Sequence, residues 1–255
     1  MVEVSAGDSE VSVTEPKLPA RRVIDQAEWG HPKPYGDYTR WPNYKPDRYV
    51  IHWSGSGSDV KTTAVAKYVA RRVRAFHVNT RGWSDAAYNA FAWDPALRFR
   101  GSNHNGAHKD SDWGGKTFAV YFPTGTQVPV PHRRSFKGFA FMWAINPAPV
   151  TGHGLLPASP SGVEQDTQCP GPILRAYIAQ EGWLGMLADG TQGERRSWQA
   201  QALKYRLHYL GYWNAGYSRF YNQALVMAVT EWQENSGRTP TGFMSRDDWK
   251  AIGEQ

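Results

Sequence analysis

Cysteine is almost absent: Cys169 is the one thiol in 255 residues. That excludes an intramolecular disulfide and suggests folding in a reducing compartment. No apolar run approaches the roughly 18–20 residues of a membrane span, so a spanning protein is excluded. Acids are the minority charge, with 23 Asp and Glu against 29 Lys and Arg, a formal net charge of +6. Such a basic balance favours a polyanionic partner (nucleic acid, an anionic membrane or a bacterial wall) without choosing among them. The first fifteen residues lack the basic and long apolar regions of a secretory signal, so a target outside the cytoplasm requires another route of delivery. What is present is apolar and aromatic: 40% hydrophobic residues, with 12 Trp, 13 Tyr and 10 Phe. A wholly disordered or low-complexity chain is thereby excluded.

Residues 1–21 carry acids and no apolar period, and read as a flexible tail. Arg48–Trp53 is β-rich and feeds a Ser-Gly turn. Asp59 is expected to cap a helix reaching about Phe76, with Val60, Ala64, Val65, Tyr68, Val69, Val73 and Phe76 on its apolar side. Its other side holds Lys61, Lys67, Arg71, Arg72 and Arg74, read as a solvated face. Strands are expected at Ala87–Trp93, Leu97–Arg100, Lys116–Phe122 and Pro149–Gly152, and helices at Arg133–Ile145 and Pro172–Gln180. The pattern predicts an α/β domain over 22–185, a mixed central sheet flanked by helices. A Gly-rich linker is expected at 186–196. Helices Ser197–Leu210, Gln223–Gln233 and one starting at Ser245 then predict a small three-helix all-α domain over 197–255.

The chemistry gathers around Cys169. His52 closes one predicted strand and His153 another. Two imidazoles and a thiolate form a known catalytic zinc set, which leaves one coordination position for water. A lone cysteine is also an ordinary apolar filler, and eight histidines place some at strand ends by chance. Both readings stand at this level. A third, with Cys169 as a nucleophile at a helix N-terminus, stands beside them.

Five blocks occur in one order: Tyr49-Val-Ile-His-Trp-Ser54, Arg81-Gly-Trp-Ser-Asp-Ala-Ala-Tyr-Asn89, Gly106-Ala-His108, Val150-Thr-Gly-His153 and Thr167-Gln-Cys-Pro-Gly171. Over residues 22–180 this resembles the zinc-dependent N-acetylmuramoyl-L-alanine amidase and peptidoglycan recognition protein family, in its phage endolysin form. The resemblance implies Zn²⁺ bound by His52, His153 and Cys169, with Tyr88 and Thr167 as catalytic residues. His108, Asn89 and Trp53 are implied to line the substrate cleft. It also implies cleavage of the amide between N-acetylmuramic acid and L-alanine by a zinc-activated water, and hence lysis of a bacterial wall. The family reads His-Arg-Asp at the second ligand and reaches its cysteine sooner. Here His153 is followed by Gly-Leu, and sixteen positions separate it from Cys169, which reads as a loop insertion.

The C-terminal segment, Trp198 to Trp213 with Ala224–Gln233, Gly237–Gly242 and Trp249, is similar to three-helix peptidoglycan-binding domains. Tyr212, Trp213 and Tyr217 are candidates for stacking on sugars, or for its core. The expected partner is bacterial peptidoglycan, with no nucleic acid and no membrane insertion, for a monomer released from a host cytoplasm onto the wall. A recognition protein that does not cut is the alternative from a different class.

Overall fold

The computed structural model describes residues 23–24, 26–30, 46–54, 59–99, 117–124, 130–159, 161–191, 193 and 196–255. The expected tail at 1–21 and the block containing His108 lie outside them. Among the described residues six strands form one sheet: β1 (Val23–Ile24), β2 (Arg48–Trp53), β3 (Ala90–Phe91), β4 (Ala96–Arg98), β5 (Thr117–Phe122) and β6 (Val150–Gly152). Their order is β1-β4-β3-β5-β2-β6, and every pairing is parallel except β3 with β4. The expected Ala87–Trp93 strand shrinks to two residues, because the segment before it is held by side-chain bonds described below.

Alternation along the strands divides the interior into two layers. Tyr49, Ile51, Phe118, Val120 and Phe122 point to one face, and Phe91 and Tyr121 to the other. The second face is covered by α2 (Thr63–Ala75) through Ala66, Val69 and Ala70. Thr62, not Asp59, caps this helix, its side chain accepting the Val65 N–H. Val60 and Val69 are buried as expected, but Tyr68 and Phe76, expected on the same side, are about half exposed, and Ala66 and Ala70 complete the buried stripe. Its cations are not all solvated. Arg71 and Lys67 donate to the carbonyls of Trp29 and Glu28 at the end of α1 (Gln26–Trp29), and Arg74 pairs with buried Asp85 at 2.6 Å. Cations at helix C-terminal carbonyls satisfy otherwise orphaned acceptors.

The first face carries α3 (Arg133–Ile145), nine of whose residues are buried. A helix apolar all round needs cover on both sides. The sheet provides one. The other comes mainly from α5 (Gly182–Ala188) and α6 (Trp198–Tyr209), with contacts from Tyr177 of α4 (Pro172–Ala179) and Gly253 of α8 (Arg246–Gly253), while α7 (Gln223–Asn235) packs against α6. Ser197, Asn222 and Ser245 cap α6, α7 and α8, Ser245 in a reciprocal capping box with Asp248. The stretch read as a linker begins inside α5, and Thr191 within it is fully buried. Trp183, Leu184 and Leu187 of α5 share one core cluster with Leu203, Leu207, Trp232, Trp249 and the sheet's first face. Arg206 of α6 is buried and donates twice to the Ile252 carbonyl of α8, at 3.1 and 2.9 Å. Among the described residues no helix is long and apolar enough to cross a membrane.

Candidate metal centre

Register builds the site. β2 and β6 run parallel with Ile51 opposite Gly152, and the next residue along each chain is His52 or His153. Both imidazoles therefore leave the same carboxyl end of the sheet, where open α/β sheets bind ligands. Their ring centroids are 4.6 Å apart.

Cys169 arrives from the following loop. The Gly154 N–H donates to the Cys169 carbonyl at 2.7 Å. The Arg175 guanidinium of α4 donates to the carbonyls of Thr167 at 3.0 Å and Cys169 at 3.4 Å. A Cβ at position 154 would lie 2.1 Å from the Thr167 oxygen, so only glycine lets the two segments meet. Cys169 Sγ then stands 3.8 Å from His52 Nδ1, and one ligand atom from each of His52, His153 and Cys169 lies within 4.8 Å of the others. Trp53 forms a half-buried wall packed on Gly171, where φ is +81° and a Cβ would meet the indole at 2.6 Å.

Burial sets the protonation states. Burial pushes the Cys169 thiol up to about 11; a Trp53 backbone bond and the Arg175 charge offset only part of this. Alone, the group is a thiol at neutral pH, whereas a cation among these donors favours the thiolate. Burial also raises the Tyr88 pKa, helped by Tyr121 and Cys169, so Tyr88 stays a phenol. Its ring lies 5.2 Å from that of His52 and 5.5 Å from that of His77.

α2 continues as a π-helical turn, Phe76–Thr80, in which His77 is turned inward and buried. Its Nδ1 accepts the Ala87 N–H at 3.1 Å, its ring packs on Trp83, and burial with the Arg81 charge lowers its pKa to about 4. A neutral imidazole props the segment that carries Tyr88.

The other expected site residues separate. Thr167 sits beside Cys169, its hydroxyl oxygen accepting the Cys169 N–H at 3.2 Å. Asn89 is fully buried, and its Oδ1 accepts the Ala119 N–H of β5 at 2.7 Å; it ties the sheet together away from any cleft surface. His108 lies outside the described residues. Trp213 is buried, Tyr217 stacks on Tyr205 at 4.1 Å, and Tyr212 and Tyr217 are partly buried against the same core, so the aromatics singled out between α6 and α7 pack on it. Two neighbours of the cluster were not singled out in the sequence: Arg175 and Gln165. Gln165 Oε1 lies 3.0 Å from His153 Nε2. Neither belongs to a motif, so only the folded geometry reveals them.

No family model matches the chain. Over 106 residues it is 32% identical to peptidoglycan recognition protein 1 of Bos taurus, a match covering 41% of this chain and 56% of that protein. It is 30% identical over 106 residues to peptidoglycan-recognition protein SC1a/b of Drosophila simulans, covering 39% and 53% respectively. The chain thus spans about half the length of the curated relatives it matches. The structure of peptidoglycan recognition protein-LE in complex with tracheal cytotoxin superposes with a TM-score of 0.50 over 62% of this chain and 93% of that one, at 17% identity. The fold, a mixed α/β sheet flanked by helices, is that of peptidoglycan recognition proteins, and the chain has homologues of that name.

Proposed function

We propose that this chain is a peptidoglycan hydrolase: a zinc-dependent N-acetylmuramoyl-L-alanine amidase of the phage endolysin type, causing lysis from within the host. The observation that carries the reading is the convergence of His52, His153 and Cys169 at one end of the sheet. Two imidazoles and a thiol are a donor set suited to a borderline-soft, four-coordinate ion, and three protein ligands leave the open position of a catalytic site. The substrate class is supported by the names of the relatives, and by a similarly folded protein that holds tracheal cytotoxin, a monomeric diaminopimelic acid-type peptidoglycan.

Zinc held there lowers the pKa of a water molecule toward about 7 and polarises a carbonyl. The chain's own groups supply the rest. Tyr88, kept as a phenol by burial, donates its hydrogen to the amide carbonyl oxygen as negative charge develops on it. Thr167, whose oxygen already accepts from Cys169, has its hydroxyl hydrogen left to donate. Trp53 gives the site an apolar wall, which strengthens each of these bonds by excluding water. The C-terminal helices are proposed to hold the wall, with the exposed side chains Tyr209, Phe220 and Met227 as the surface available for contact. The net charge of +6 suits an anionic polymer.

The thiol-nucleophile reading has weaker support, because a buried thiol raised to about 11 is a poor nucleophile. A soluble muramoyl peptide tests the proposal directly. The amidase releases a peptide with a new L-alanine amino terminus; a recognition protein binds the same compound and leaves it intact.

A further inference from the structure

We propose that Gln165 is a positioning residue for the metal centre, and that the loop separating His153 from Cys169 serves to deliver it. The inference rests on the zinc reading above and concerns residues which that reading does not use.

Gln165 is 4% exposed, although Val163, Glu164 and Asp166 around it are all exposed. A long polar side chain pulled in from an exposed loop needs a partner that repays its desolvation. That partner is His153: Gln165 Oε1 lies 3.0 Å from His153 Nε2. An amide oxygen can only accept, so this contact requires the hydrogen on Nε2. In a neutral imidazole the lone pair is then on Nδ1. Nδ1 is also the nitrogen that His52 turns toward Cys169, at 3.8 Å. One amide thereby fixes both the rotation of the His153 ring and the tautomer that a metal takes.

The loop is built to hold this geometry. Ser159 is buried, and its N–H donates to the Val163 carbonyl at 3.0 Å. Its hydroxyl accepts the Val163 N–H at 3.1 Å, and its carbonyl accepts the Gly162 N–H at 2.8 Å. This closes a tight turn two residues before Gln165. Two residues after it, the Arg175 guanidinium grips the Thr167 carbonyl at 3.0 Å. Gln165 is clamped from both sides, as a residue that must orient another should be.

Outer-shell acceptors on metal-ligating histidines typically govern about 10–100-fold in metal affinity. The test is zinc affinity, measured on the full chain by competition with a chromophoric chelator, for the unaltered protein, Gln165→Leu and Gln165→Glu. The absorption spectrum of each Co²⁺-loaded chain serves as a second readout of ligand geometry. Gln165→Leu should bind zinc about 10–100-fold more weakly and shift the Co²⁺ spectrum, with the melting temperature of the metal-free chain little changed. Gln165→Glu, whose carboxylate also only accepts, should restore affinity to within a few-fold of the unaltered chain. The inference is overturned if Gln165→Leu binds zinc as tightly as the unaltered chain, or if Gln165→Glu is as weak as Gln165→Leu. An unaltered chain that binds no zinc overturns the metal reading itself, and this inference with it.

Discussion

His52 on β2 and His153, one residue past the neighbouring parallel strand β6, hold their rings 4.6 Å apart, although 101 positions separate them in the chain. The register of Ile51 with Gly152 brings them together, and the Gly154 and Arg175 contacts to the Cys169 loop complete the cluster. Each element of the site can be removed separately.

Replacing a proposed ligand should remove the metal. Cys169→Ser and His153→Ala should each weaken zinc binding by more than about 100-fold, beyond the range of outer-shell changes. Amide cleavage should fall with it. Equilibrium dialysis at fixed free zinc, read by elemental analysis, checks the first part and muropeptide hydrolysis the second.

Tyr88→Phe removes one hydroxyl and little packing. Zinc affinity and substrate binding should persist, while kcat falls about 10²–10³-fold, the usual loss for one donor to a developing oxyanion. A variant with unchanged kcat would remove Tyr88 from the chemistry.

His77 makes stability depend on pH. Its pKa is about 4 in the folded chain against 6.5 for the free side chain, so the unfolded chain binds more protons between those values. Stability should therefore be lost as pH falls from 6.5 toward 4, by at most about 3 kcal/mol, and be unaffected by this group at higher pH. Urea titrations across that window, for the unaltered chain and His77→Phe, should show a shallower acid slope in the variant.

The sheet and the C-terminal helices should unfold together, because one apolar cluster runs from Phe122 and Phe139 through Trp183 to Trp249. Trp249→Ala should cost about 3–5 kcal/mol and lower a single transition. Two separated transitions in calorimetry, only one of them shifted, would show the halves to be independent.

Much of this was readable beforehand, for reasons particular residues make plain. Arg48–Trp53 is recognisable as a strand because β-branched and aromatic residues dominate it. Arg133–Ile145 matches its expected bounds, and Ser245 caps as its side chain predicts. Elsewhere tertiary burial overrides the local signal. Gly182 and Gly185 suggest the approach to a linker, yet Trp183, Leu184 and Leu187 bury enough surface to hold α5 as a helix. Asp59 is the stronger cap by residue type, yet Thr62 caps α2, and the burial of Ala66, Val69 and Ala70 accompanies the later start. The three candidate ligands were legible through their ordered blocks. Gln165, Arg175 and the inward turn of His77 were not, because each acts through contacts between loop and helix that leave no periodic trace.

The most direct measurement is zinc content of the purified chain, paired with turbidity loss of bacterial cell walls before and after chelation. The account requires one zinc per chain, lysis abolished by the chelator and restored by Zn²⁺, and new L-alanine amino termini in the digest. Lysis by a metal-free chain, or a zinc-loaded chain that leaves walls intact, would contradict it.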